Sequence, residues 1–117
     1  MRHILFMLLF LGNFEAFAED KIETRKLSNS ILIDVRTDDE WNNGYIETAI
    51  HIPLDMILQK IVMASESKDQ KIYLYCRTGN RSGKAEKALQ GIGYINAKNI
   101  GGIQEASSIL QLKITKQ

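Results

Sequence analysis

Two short apolar runs, Ile31-Leu32-Ile33-Asp34-Val35 and Lys71-Ile72-Tyr73-Leu74-Tyr75, constrain this chain more than any other feature. Both are rich in β-branched and aromatic residues and too short for helices, so they read as buried strands. Between them the period changes. Leu54, Ile57, Leu58, Ile61 and Val62 recur at helical spacing and predict an amphipathic helix beginning just after Pro53. Thr37 to Asn43, stopped by Gly44, reads as a short helix, and Ile50-His51-Ile52 as a third strand. Beyond the second run, Ala85, Ala88, Leu89 and Ile92 form the apolar stripe of a helix that stops near Gly91 or Gly93. Asn96 to Ile100 is a further strand candidate, and Ala106, Ile109 and Leu110 mark a final helix after Ile103. Strands alternating with helices predict an α/β fold, a mainly parallel central sheet with helices on both faces. Such sheets collect ligands beyond the carboxyl ends of their strands, and two strands here end at Asp34-Val35-Arg36 and at Cys76.

The first residues stand outside this pattern. Met1-Arg2-His3, the apolar run Ile4 to Leu11 and the small-x-small site Ala16-Phe17-Ala18 read as a cleavable secretory signal, residues 1–18. The run is well short of the roughly 20 residues that span a bilayer, so no stable membrane anchor is expected. Residues 19–117 then suit a single domain with one core. Its location is expected to be outside the cytoplasm, in a periplasm or secreted. Fifteen basic against fourteen acidic residues, a net +1, give no reason to expect a nucleic acid or an anionic membrane as partner.

Cys76 is the only cysteine. Exported domains of this size commonly pair their cysteines, so a lone thiol is either a small buried hydrophobe or a reactive group, and composition alone leaves both open. Its surroundings favour reactivity. Cys76 directly follows a buried strand, and Arg77-Thr78-Gly79-Asn80-Arg81 then leads into a helix expected to begin around Ser82. In such a strand-loop-helix cradle, backbone N–H groups and the positive helix end converge on an anion. A thiolate held there has its pKa lowered from ~8.5 into the range ~3.5–7.5. Arg77 and Arg81 add positive charge suited to an anionic sulfur donor, although Arg77 also reads as simply a solvated side chain. Gly79 permits backbone angles or a close approach barred to other residues. The side chains of Asn80 and Ser82 are expected to cap the helix.

The loop Cys76-Arg77-Thr78-Gly79-Asn80-Arg81-Ser82 resembles the active loop of the rhodaneses, the thiosulfate-type sulfurtransferases. Three further segments resemble that family's motifs in the family's order: Ile33 to Arg36 with Glu40-Trp41, Gly44 to Pro53, and Gly93-Tyr94 through Gly101-Gly102. The likeness is to single-domain rhodaneses, the exported phage-shock type among them. It implies a rhodanese-like fold and a two-step reaction without a cofactor. Cys76 takes the outer sulfur of thiosulfate as a persulfide and passes it to a nucleophile: cyanide in vitro, a thiol or protein in the cell. The loop would stabilise the sulfur anion. Three residues depart from the family's usual pattern. Tyr45 stands where His is frequent, Thr48 where Gly is frequent and His51 where Asn is common, changes expected to affect turn geometry and edge packing.

Asp34 and Arg36 lie near the expected site and read as supports: Arg36 could pair with Glu40 across the start of the short helix, and Asp34 could hold a loop. His51 reads as a polar residue satisfied near a strand end. A phosphatase or arsenate reductase also uses a cysteine in an anion-binding loop, but its pattern would put the arginine at position 82, where this chain has Ser82. A persulfide carrier or binding module loaded by a protein partner is the rival reading from outside enzymology. No metal site is expected from one cysteine and, past the signal, the single histidine His51. Gly101-Gly102 reads as a turn.

Overall fold

A computed structural model describes residues 29–65 and 67–117. The signal-like segment 1–18 lies outside these described residues. The chain runs β1 (Ser30–Asp34), α1 (Asp38–Asn42), β2 (Tyr45–Ile46), β3 (Ile50–His51), a 3₁₀ turn (Leu54–Met56), α2 (Ile57–Ala64), β4 (Lys71–Cys76), α3 (Asn80–Gly91), β5 (Ala97–Gly102), α4 (Ile103–Leu110) and β6 (Ile114–Thr115).

Four strands form a parallel sheet in the order β3-β1-β4-β5. The two apolar runs become its central pair, with Ile31 opposite Ile72 and Ile33 opposite Leu74. Alternation along them sends side chains to two faces. On one face Ile33, Val35, Ile72 and Leu74 pack with Ile57 and Ile61 of α2 and Ala85 and Leu89 of α3. On the other, Leu32, Tyr75 and Ile100 pack with Ile46 and with Ala106 and Leu110 of α4. The expected parallel sheet with helices on both faces is thus present. Among the described residues no helix is long and apolar enough to cross a membrane.

Four details differ from the sequence reading. The helix after Pro53 starts as a 3₁₀ turn and buries only Ile57 and Ile61, while Leu58 and Val62 are exposed. Second, β2 and β6 pair antiparallel outside the main sheet; two-residue strands carry no periodic signal. Third, α3 begins at Asn80, and Gly79 is its N-cap with no side-chain cap bond. Neither Asn80 nor Ser82 caps it. Fourth, Gly101 and Gly102 do not form a free turn but close β5. Between the Leu74–Asn99 and Cys76–Gly102 pairs, β5 carries one extra residue, a bulge that slides Gly102 under the loop following β4.

Candidate active site

Cys76 ends β4 at the carboxyl end of the sheet and is fully buried. The chain then turns through Arg77 and Thr78 to Gly79, whose φ of +102° lies in the left-handed region that glycine alone enters without strain. This turn aims the Gly79 N–H back at Cys76 Sγ, 3.0 Å away. Gly102 lets the loop sit this low: a Cβ there would collide with the Arg77 carbonyl. Ser82, one turn into α3 and also fully buried, brings its hydroxyl to 3.4 Å from Sγ. Burial pushes the thiol pKa up, but hydrogen bonds from the Ser82 hydroxyl and the N–H groups of Ser82, Thr78 and Gly79 outweigh it and hold the thiol below its ordinary range.

The arginines act differently from one another. Arg81 makes a bidentate pair with Glu40, Nη1 to Oε1 at 2.7 Å and Nη2 to Oε2 at 2.9 Å. Glu40 also completes the capping box of α1, accepting the Thr37 N–H at 3.0 Å. Led by the Arg81 hydrogen bonds, with burial opposing and Thr37 assisting, these contacts lower the Glu40 pKa to about 2. Arg77 is largely exposed, its Nε 4.0 Å from Glu40 Oε2. Asn80 is exposed on the first turn of α3, and Thr78 lies exposed on the rim. A cleft of about 330 Å³ lined by Val35, Thr37, Pro53, Leu54 and Asp55 runs along Arg81.

Asp34 and Arg36 form a buried ion pair. Arg36 Nε and Nη2 donate to the Asp34 carboxylate at 3.0 and 2.7 Å, the Arg36 N–H donates to it at 2.8 Å, and Nη2 reaches the Gly44 carbonyl at 2.6 Å. The expected Arg36–Glu40 pair is therefore absent. The guanidinium is buried and needs a buried partner, which Asp34 supplies, while Glu40 turns to Arg81. Asp34 does hold its loop by hydrogen bonds, as read from the sequence.

A model of the rhodanese-like domain matches residues 16–108. The chain belongs to this family. Among its relatives is thiosulfate sulfurtransferase PspE of Escherichia coli K12, 33% identical over 73 residues that cover 62% of this chain and 70% of that one. A second is the adenylyltransferase and sulfurtransferase UBA4 of Candida albicans, 36% identical over 93 residues covering 74% of this chain but only 21% of that longer protein. Among solved structures, a rhodanese with anions from E. coli superposes with a TM-score of 0.69 at 28% identity, covering 75% of this chain and 99% of that one.

In this rhodanese-like chain the loop residues divide by what they touch. Thr78, Gly79 and Ser82 contribute donors to the sulfur, Arg81 anchors the loop to α1, and Arg77 and Asn80 face solvent. Two residues were missed as site members. Glu40 reads from the sequence as a motif residue and a partner for Arg36, not for Arg81, and Asn99 is not singled out, although its amide touches Ser82, Gly79 and Gly101. His51 is satisfied near a strand end as expected, with Nε2 2.8 Å from the Arg36 carbonyl. Two of the unusual residues prove to be one feature: the rings of Tyr45 and His51 both stack on Trp41, at 3.9 and 4.7 Å between centroids.

Proposed function

We propose that this protein is a thiosulfate sulfurtransferase that carries sulfur on Cys76. The observation that carries the reading is the convergence of the Gly79 N–H and the Ser82 hydroxyl on one buried sulfur at the end of a parallel strand. The Cys76 thiolate attacks the outer sulfur of thiosulfate; a new S–S bond forms at Sγ, the old one breaks, and sulfite leaves with the bonding electron pair. The resulting persulfide anion stands where the loop donors stabilise negative charge. A thiol or protein nucleophile then takes the outer sulfur and regenerates the thiolate, and cyanide does so in vitro. With one cysteine in the sequence, an external acceptor must complete the cycle. Arg77, exposed at the rim, suits an approaching dianion.

The phosphatase reading is not favoured. Position 82, where that pattern places its arginine, holds a buried serine bonded to Sγ. The names of relatives support sulfur transfer. The leader-like segment 1–18 supports action outside the cytoplasm.

Purified protein given thiosulfate and cyanide is expected to release thiocyanate and sulfite, and Cys76→Ser to release neither. Hydrolysis of phosphate esters without thiocyanate formation would refute the reading. Sulfur uptake from a protein donor but never from thiosulfate would replace it with a carrier role.

A further inference from the structure

Asn99 sits on β5 beside the extra residue of the bulge, and its amide orientation is fixed by its neighbours. Oδ1 faces two donors, the Ser82 hydroxyl at 2.7 Å and the Gly101 N–H at 2.9 Å, and Nδ2 donates to the Gly79 carbonyl at 3.0 Å. Reversing the amide would set an NH₂ against an N–H and an oxygen against a carbonyl. Oδ1 is therefore the acceptor, and the Ser82 hydroxyl must donate in the 2.7 Å contact. A hydroxyl has one proton. The same proton is the one Ser82 offers to Cys76 Sγ, 3.4 Å away.

We propose that Asn99 is a positioning residue that competes with Cys76 for the Ser82 proton and so keeps the thiolate less stabilised, and more nucleophilic, than the cradle alone would make it. While Cys76 is a neutral thiol, the Ser82 hydroxyl rests on Asn99. When the sulfur is anionic the hydroxyl turns to it at the expense of the Asn99 bond. Once Sγ carries a second sulfur, the charge moves to the outer atom and the hydroxyl returns to Asn99. The Gly79 carbonyl is held independently, since it also accepts the Gly83 N–H at 3.0 Å, so loss of Nδ2 leaves the loop anchored at that point. Thiolates of lower pKa are weaker nucleophiles, which gives the competition a purpose. That purpose rests on the sulfurtransferase reading, whereas the competition itself does not.

The test is a titration of Cys76 by thiolate absorbance, corrected with Cys76→Ser, in wild type, Asn99→Leu, Ser82→Ala and the double variant. Leucine matches the amide in volume, accepts nothing and keeps water out of a position that lines an open cleft of about 880 Å³. Asn99→Ala takes its place if the leucine variant does not fold. The charged groups around the cradle, Arg77, Arg81 and Glu40, with Glu86 behind Asn99, are the same in all four proteins. With Ser82 present, loss of Asn99 is expected to lower the Cys76 pKa by about half to one unit more than it does in the Ser82→Ala background. Equal shifts in the two backgrounds, or a larger rise with Ser82 present, would overturn the proposal, because a merely structural Asn99 acts without regard to the hydroxyl. No sulfur donor enters the titration, so a failed thiocyanate assay and a failed coupling are separate results. Where thiosulfate is turned over, attack per thiolate should slow about two- to threefold in Asn99→Leu.

Discussion

At the scale of single residues, local geometry was legible where one side chain or one backbone angle decides, and illegible where a partner distant in sequence decides. Cys76 and Gly79 belong to the first kind. Ser82 belongs to the second: a serine just inside a helix start has the look of a cap, and its true partners, Sγ and Asn99, are visible only once β4, α3 and β5 are side by side. Thr48 is a residue whose oddity the sequence did flag. It stands where the family often has glycine and adopts φ +73°, a conformation costly for a β-branched residue. Thr48→Gly is expected to raise unfolding free energy by about 1 kcal/mol, read by urea denaturation. Asp34 has the opposite weight. Its removal leaves the buried Arg36 guanidinium without a counter-charge, so Asp34→Ala should cost about 3–5 kcal/mol of stability. A loss of turnover at an unchanged melting temperature would instead make Asp34 part of the chemistry.

Among the elements, the clamp between α1 and the start of α3 is the least guessable part. Glu40 and Arg81 are 41 residues apart, and the local rule that pairs residues four apart pointed Arg36 at Glu40 instead. Burial of Arg36 beside Asp34 overrode it. The clamp has a definite pH dependence. Because folding lowers the Glu40 pKa to about 2, the stabilisation is fully present above the unfolded carboxyl value of about 4.3. It is lost as pH falls from there through 2. Comparing thermal unfolding of wild type and Glu40→Gln from neutral pH downward should show a constant gap that closes over this window. A gap that persists to the lowest pH would mean that the clamp acts through shape and not charge. The helices α2 and α3 were legible by period, but the stripe was read too broadly: Leu58 and Val62 are exposed on α2, which buries only Ile57 and Ile61, and Ile92 is exposed at the cap just past the end of α3.

For the whole molecule, the two central strands determined most of the outcome. Being apolar on both faces, they required helices above and below, and that placed their carboxyl ends, with Cys76 and the Asp34–Arg36 pair, on one rim. The sheet's edges explain details that no single segment reveals. β3 is only two residues long. On β5 the Ala97 carbonyl accepts from Gln90, the Asn99 N–H donates to Glu86 and the Gly101 N–H to the Asn99 side chain. Side chains thus occupy groups that another strand could otherwise pair with, and the same capping fixes Asn99 against Ser82. Edge protection and the cradle share residues.

The proposed reaction requires that Cys76 itself hold the transferred sulfur. Intact-mass analysis after incubation with thiosulfate and removal of excess donor tests it most directly. The wild-type protein is expected to gain the mass of one sulfur atom, the gain to disappear on adding cyanide or a thiol, and Cys76→Ser to gain nothing. An unmodified wild-type mass, or a sulfur retained in Cys76→Ser, would contradict it.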